Sequence, residues 1–233
     1  MTNQKAAIIS KLSGGLIVSC QALEDEPLHS SYIMGRMALA AAQGGASGIR
    51  ANSVADIEAI KATVDVPIIG IIKANYPDSD VYITPTENEV SALIKVGAEI
   101  IALDATARLR PGAESLESFF APLRLRYPDQ LFMADCSTVA EAVRAVQLGF
   151  DIVSTTLAGY TPYTEGRTLP DTAMIKALAD QQVGPIIGEG GIWTPEQLQS
   201  VLGAGALAAV IGTAITRPRE ITRRFVRALP EKS

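Results

Sequence analysis

One histidine, His29, and two cysteines, Cys20 and Cys136, are all that the 233 residues offer of the common metal-binding and nucleophilic side chains. A single histidine in a loop-like Pro27-Leu28-His29-Ser30 stretch gives a zinc ion too few ligands, so no metal is expected. Two distant cysteines make neither a CxxC pair nor a disulfide framework, and they read as small packing residues. A Ser-His-Asp triad would rest on the same histidine, with no GxSxG elbow to support it. GxxxxGKS/T and GxGxxG are both missing, which removes the usual nucleotide-cofactor motifs. No Lys/Arg-rich run occurs, and the net charge is −5 with a pI of about 5.0. A nucleic-acid partner is therefore not expected, although a local basic site for a small anion fits an acidic protein. No apolar stretch reaches the roughly 18 residues a membrane helix needs, and Met1-Thr2-Asn3-Gln4-Lys5 lacks the features of a signal peptide. These absences lead to the expectation of a cytoplasmic protein with no membrane partner.

Apolar residues make up 48% of the chain and charged residues 19%, enough for a sizeable core. With no linker dividing them, residues 1–233 are expected to form one domain. Short apolar runs recur, and most end on a polar residue. Leu16–Cys20 leads to Gln21, Ser47-Gly48-Ile49 to Arg50, Pro67–Ile72 to Lys73, and Ile100–Leu103 to Asp104. Leu131–Ala134 leads to Asp135, Asp151–Ser154 to Thr155 and Thr156, Pro185–Gly188 to Glu189, and Ala208–Ile211 to Gly212 and Thr213. The intervals average about 27 residues, room for the crossover helix that parallel strands require. Between the runs, Ser137–Gly149 has apolar residues at helical spacing and a closing glycine. Thr194-Pro195-Glu196-Gln197 has a capping threonine and a proline at the first helical position. Met34 and Met37 read as helix core, and Gly44-Gly45, Gly97 and Gly203–Gly205 as helix-to-strand turns. Eight such units predict a (β/α)8 barrel, with a doubly wound open sheet as the alternative.

In barrels and open α/β sheets, sites form at the carboxyl ends of strands, which directs attention to the polar residues after each run. Lys73 follows six apolar residues. At an ordinary pKa of about 10.4, only about 1 lysine in 2,500 is neutral at pH 7, so a useful base needs burial or a nearby cation to lower it. Arg50, expected at the adjacent strand end, could serve as that cation. Glu189 lies among glycines that allow close approach of a ligand. Strands 3 and 7 are four apart in a ring of eight, so Lys73 and Glu189 should face each other across the mouth. An amine and a carboxylate so placed suit inversion of a carbon centre, one removing a proton and the other returning it to the opposite face. Gly190-Gly191 after strand 7 and Gly212-Thr213 after strand 8 match the common barrel phosphate site, to which Arg217 could add charge. Asp104 and Asp135 could be ligands of a divalent metal, partners of sugar hydroxyls, or salt-bridge partners of Lys73 and Arg50.

Long blocks of the chain carry a resemblance. Leu16–Leu23, Pro27–Ser31, Gly35–Ala38, Gly70–Lys73, Tyr82–Thr86, Ile101–Thr106, Val153–Tyr163 and Gly212–Pro218 closely resemble bacterial N-acetylmannosamine-6-phosphate 2-epimerases. The likeness spans nearly the whole chain. It implies a (β/α)8 barrel in sialic acid catabolism that interconverts N-acetylmannosamine 6-phosphate and N-acetylglucosamine 6-phosphate without a nucleotide cofactor. It also implies that Lys73 and Glu189 are the acid-base pair and that Gln21, Arg50 and Asp135 contact substrate. The pattern departs at Gly191, where the family resemblance implies a basic residue; its phosphate contact would pass to Arg217 or to backbone. The expected partner is an amino sugar phosphate, and a homodimer is expected because exposed barrel helices often pair. Two other classes compete: a Schiff-base aldolase using Lys73 as its covalent amine, and a sugar-phosphate-binding barrel without catalysis.

Overall fold

The computed structural model describes residues 3–230. Met1, Thr2 and residues 231–233, part of the expected domain span, lie outside the described residues. Eight strands alternate with helices along the chain: β1 Leu16–Cys20, β2 Gly48–Asn52, β3 Ile68–Ile71, β4 Ile100–Asp104, β5 Leu131–Asp135, β6 Ile152–Ser154, β7 Ile186–Glu189 and β8 Ala208–Ile211. All neighbours pair in parallel, and β8 closes onto β1, giving a barrel in chain order. Closure excludes the open-sheet alternative. The helices are α1 Asn3–Leu12, α2 Ser31–Gln43, α3 Val54–Lys61, α4 Glu87–Val96, α5 Leu116–Arg126, α6 Val139–Leu148, α7 Thr172–Asp180, α8 Pro195–Gly203, α9 Thr213–Thr216 and α10 Pro218–Val226.

Local chemistry sets the helix ends. Thr86 with Glu89, Thr138 with Glu141 and Thr194 with Gln197 form capping boxes that satisfy backbone N–H groups at the starts of α4, α6 and α8. The expected cap at Thr194 and the closing Gly149 are both observed. Met34 is buried in the α2 face, and Met37 packs against the same core.

Alternation along each strand divides the core in two. Outward-facing residues such as Ile49, Ala51, Ile68, Ile101 and Leu103 pack against the helices. Inward-facing Ile17, Ile69, Ile71, Ile100, Ala102, Met133, Ile152, Ile187 and Val210 fill the barrel. Ile9 and Leu12 of α1 join this inner cluster and close its lower end. Beside them Lys5 pairs with Asp151 at 3.0 Å, and Arg124 pairs with the same carboxylate at 2.6 Å.

The inward column of each strand, continued upward by two residues, delivers the polar side chains of the mouth. Ile17 leads to Ser19 and Gln21, Ile71 to Lys73, Ala102 to Asp104, Met133 to Asp135, Ile152 to Ser154 and Thr156, and Ile187 to Glu189. One expectation needs correction here. Arg50 does not follow β2 but lies at its centre, opposite Ser19 and Ile69. The sequence Gly48-Ile49-Arg50-Ala51-Asn52 keeps a strand alternation in which an arginine occupies an inward position.

Candidate active site

A cavity of about 450 Å³ opens at the carboxyl end of the barrel. Its lining includes Ser19, Gln21, Arg50, Lys73, Tyr82, Thr156, Glu189 and Arg217, together with Gly190, Gly191, Gly212 and Thr213 from the loops after β7 and β8. Of the polar residues expected at the strand ends, Asp104, Asp135 and Thr155 stay out of this lining, although both aspartates end their strands as expected.

Lys73 lies two residues beyond β3 and is fixed by its backbone. Its N–H donates to Asn52 Oδ1 at 2.8 Å, and the chain then doubles back so that Lys73 bridges Ile83 in antiparallel fashion. Ala74 N–H donates to Tyr82 O at 3.0 Å, and Thr84 N–H to Ile72 O at 2.8 Å. This folded-back segment brings Tyr82 into the cavity. Arg110, 1% exposed, anchors it by donating to Thr84 O and Pro85 O at 3.0 and 2.7 Å. Burial, and then the neighbouring guanidinium groups of Arg50 and Arg217, bring the Lys73 pKa down from 10.5 to about 8, against the opposing pull of Glu189 and Glu26.

Across the mouth, Glu189 is held at every level. Thr155 Oγ1 both accepts from Glu189 N–H at 3.0 Å and donates to Glu189 O at 2.9 Å. The carboxylate oxygen Oε2 lies 3.0 Å from Arg50 Nη1 and 2.9 Å from Thr156 Oγ1. Burial raises the pKa of this carboxyl above its ordinary value, and Arg50 works in the opposite direction. Asp135 also drives it up by its charge.

Arg50 ties the two sides together. It forms a fork with Asp135, Nη1 to Oδ1 at 3.1 Å and Nη2 to Oδ2 at 2.6 Å, while Nη1 also reaches Glu189. Burial alone would lower its pKa, but the two carboxylates outweigh burial and raise it, so the guanidinium is a fixed cation. Asp135 is fully buried and meets the cavity only through Arg50 and Thr156. Asp135 therefore stands behind Arg50, where its carboxylate orients the guanidinium. Asp104, one strand over, pairs with Arg108 at 2.6 Å and Thr106 at 2.7 Å instead of Lys73 or Arg50. Among the described residues no group of three or more His, Cys, Asp or Glu side chains is arranged to hold a metal ion.

At the phosphate-like end, Gly190 and Gly191 take successive positive φ values of 105° and 69°, turning backbone toward the cavity. A Cβ at Gly191 would sit 2.3 Å from Leu169 Cβ, so Leu169 fills the space that a basic side chain would need. Arg217 is the cation left at this end, and it leans on Glu26 at 3.3 Å. Cys20 is buried below the mouth, and burial pushes its thiol up to about 12, far from the reactive range.

Tyr82 and Thr156 were given no role on sequence grounds. Thr156 could have been found by continuing the inward column of β6. Tyr82 depends on the fold-back of residues 73–84, which no local pattern announces.

With this geometry in hand, comparison with known proteins is direct. A family model described as "NanE: Putative N-acetylmannosamine-6-phosphate epimerase" matches residues 34–231. A relative from Enterobacter sp. (strain 638) is 55% identical, covering 97% of each chain, and one from Shouchella clausii is 54% identical, covering 96% of this chain and 99% of the relative. Both are named "Putative N-acetylmannosamine-6-phosphate 2-epimerase". The solved N-acetylmannosamine-6-phosphate 2-epimerase from Clostridium perfringens superposes with a TM-score of 0.91 at 52% identity, covering 95% of this chain and 96% of that one. Thiamine phosphate pyrophosphorylase from Pyrococcus furiosus, at 16% identity and a TM-score of 0.59, shares the fold alone. The chain belongs to the N-acetylmannosamine-6-phosphate epimerase family.

Proposed function

We propose that this barrel interconverts N-acetylmannosamine 6-phosphate and N-acetylglucosamine 6-phosphate by removing and returning the proton at C2, a step of sialic acid breakdown. The observation that carries the mechanism is the pair Lys73 and Glu189, on strands four apart, facing one cavity of about 450 Å³ from opposite sides. In the open-chain sugar the C1 carbonyl acidifies the C2 proton. Neutral Lys73, accessible because its pKa is brought to about 8, takes that proton from one face. Glu189 supplies a proton from the other, and the reverse reaction exchanges their roles. Arg50 is a fixed cation beside the enolate-like intermediate.

The 6-phosphate is assigned to the backbone of Gly190, Gly191, Gly212 and Thr213, with Arg217 as its side-chain cation. Gln21 and Arg50 orient the sugar, and Asp135 acts through Arg50. The reading includes a cytoplasmic site of action, since a sugar phosphate does not cross a bilayer unaided; among the described residues no helix is long and apolar enough to span a membrane. It also includes a homodimer, supported by the uncovered Phe225, Val226 and Leu229 at and just beyond the end of α10.

The test is turnover in deuterated water. Wild-type protein should place deuterium at C2 as the epimers interconvert, and borohydride should trap no adduct on Lys73. A Lys73→Ala variant that still interconverts the epimers with deuterium uptake at the wild-type rate would overturn the lysine assignment.

A further inference from the structure

Thr156 stands at a point where the hydrogen atoms do not suffice. Its hydroxyl lies 2.7 Å from Asp135 Oδ1, 2.9 Å from Glu189 Oε2 and 2.8 Å from Ser154 Oγ. A hydroxyl has one proton to donate and two lone pairs to accept with. Were Asp135 and Glu189 both ionised, two carboxylate oxygens would compete for that one proton, and the loser would face a bare oxygen at contact distance. Arg50 Nη1 has two hydrogens and gives one to each of these oxygens, at 3.1 and 3.0 Å, but neither lies between Thr156 Oγ1 and the losing carboxylate, so that oxygen–oxygen contact still lacks a hydrogen.

One proton shared between the two carboxyls satisfies every contact, and the position of Arg50 selects which carboxyl holds it. Ser154 donates to Thr156, Glu189 carries a proton on Oε2 and donates it to Thr156, and Thr156 donates to Asp135. The negative charge is placed on Asp135, because it takes both guanidinium nitrogens of Arg50 where Glu189 takes one. Thr156 then uses its single proton and both lone pairs; a Thr156 that donated to Glu189 would favour the carboxylate and lower its pKa, whereas one whose proton is held by Asp135 can only accept from Glu189 and favours the acid.

We propose that Thr156 is the positioning residue that lets Glu189 hold a proton, so that the site begins a turnover with an acid on the β7 side and a base on the β3 side. The inference rests on the reading of Glu189 as a proton donor at C2. In the forward step the C2–H bond breaks and its proton forms an N–H bond on Lys73; the Glu189 O–H bond breaks and its proton forms the new C2–H bond on the other face. Lys73 ends charged and Glu189 ends ionised, so the total charge of the pair is unchanged. With Glu189 ionised, the Thr156 hydroxyl is contested again until solvent returns a proton. The charged groups facing Glu189 are Arg50 from β2, Lys73 from the end of β3 and Asp135 from β5.

The experiment compares Thr156→Val, Thr156→Ser and Glu189→Gln with wild type. Valine keeps the branched shape and removes the hydroxyl; serine keeps the hydroxyl. Thr156→Val should lower kcat by about 10- to 100-fold, part of what a general acid contributes. KM should stay within about threefold, because the hydroxyl is spent on Glu189 and Asp135. The acidic limb of the pH profile should move to lower pH, since the protonated carboxyl has lost the acceptor that favours it. Thr156→Ser should restore both kcat and the limb. An infrared titration provides a readout independent of turnover. Wild type should show a carboxylic-acid C=O band that Glu189→Gln removes and that persists above about pH 4.3, the ordinary glutamate value. In Thr156→Val that band should vanish at lower pH than in wild type.

The proposal is overturned if Thr156→Val keeps the wild-type limb or shifts it upward, if Thr156→Ser is as impaired as valine, or if no such band exists in wild type. Should Thr156→Val fail to fold, the wild-type and Thr156→Ser spectra decide. A Glu189→Gln protein that interconverts the epimers at the wild-type rate would instead remove the reading of Glu189 itself.

Discussion

The two ends of the barrel each hold a lysine, buried at one end and half-buried at the other, and they treat it differently. At the lower end Lys5, 5% exposed, is matched to Asp151, which is also bonded by Arg124. At the upper end Lys73 has no carboxylate within ion-pair distance among the described residues, and its influential neighbours after burial are two arginines. Charge at the lower end is paired off and serves the packing of α1 under the barrel. At the upper end the acid nearest in role, Glu189, is bound to Arg50 and Thr156, leaving the amine across the cavity uncompensated. A fold that pairs a buried lysine at one end and, among the described residues, leaves a half-buried one without a carboxylate in ion-pair distance at the other concentrates its electrostatic cost where proton transfer is needed.

Substitutions at the two lysines should separate these roles. The largest effect should come from Lys73→Ala, with kcat for epimerisation reduced by about 10²- to 10⁴-fold in a coupled assay, the usual contribution of a general base. Lys5→Met should leave kcat near wild type but cost about 2 kcal/mol in urea unfolding, less than a bare buried pair because Arg124 still neutralises Asp151. Lys73→Met should do the reverse and stabilise the fold at neutral pH. The folded lysine releases its proton at about 8 rather than 10.5, so below pH 8 folding confines an unwanted charge. The gain should be about 1–2 kcal/mol after allowing for partial exposure, and it should fade as pH rises from 8 to 10.5. The smallest effect is a shape: kcat/KM against pH should be bell-shaped. The alkaline limb lies near 8, where Lys73 loses its proton, and the acidic limb lies above the ordinary carboxylate range, where Glu189 gains one. Both reaction directions should share these limbs, because both starting states hold one proton between the pair.

Much of this site was legible from spacing. Eight apolar runs imply the barrel, and counting strands places Lys73 opposite Glu189 from spacing alone. Ending β2 at its first charged residue misplaces Arg50; an arginine inside a strand is hidden unless its side-chain partners are known, and Asp135 lies 85 residues away in sequence. Asp104 and Asp135 show the same limit. They end neighbouring strands in register, yet one binds a local Arg108 and the other the distant Arg50. Strand-end position located both aspartates, but only three-dimensional contacts decide which cation each receives. Tyr82 was invisible for a third reason, because its place depends on the chain reversing between Lys73 and Ile83.

The central claim, that Lys73 and Glu189 serve opposite faces of one carbon, is tested most directly by hydrogen exchange in deuterated water with each epimer supplied separately. Glu189→Gln should exchange the C2 proton of one epimer only, Lys73→Ala should exchange only the other, and each should interconvert them at least about 100-fold more slowly than wild type. Either variant exchanging both epimers, or both variants exchanging the same one, would contradict the account.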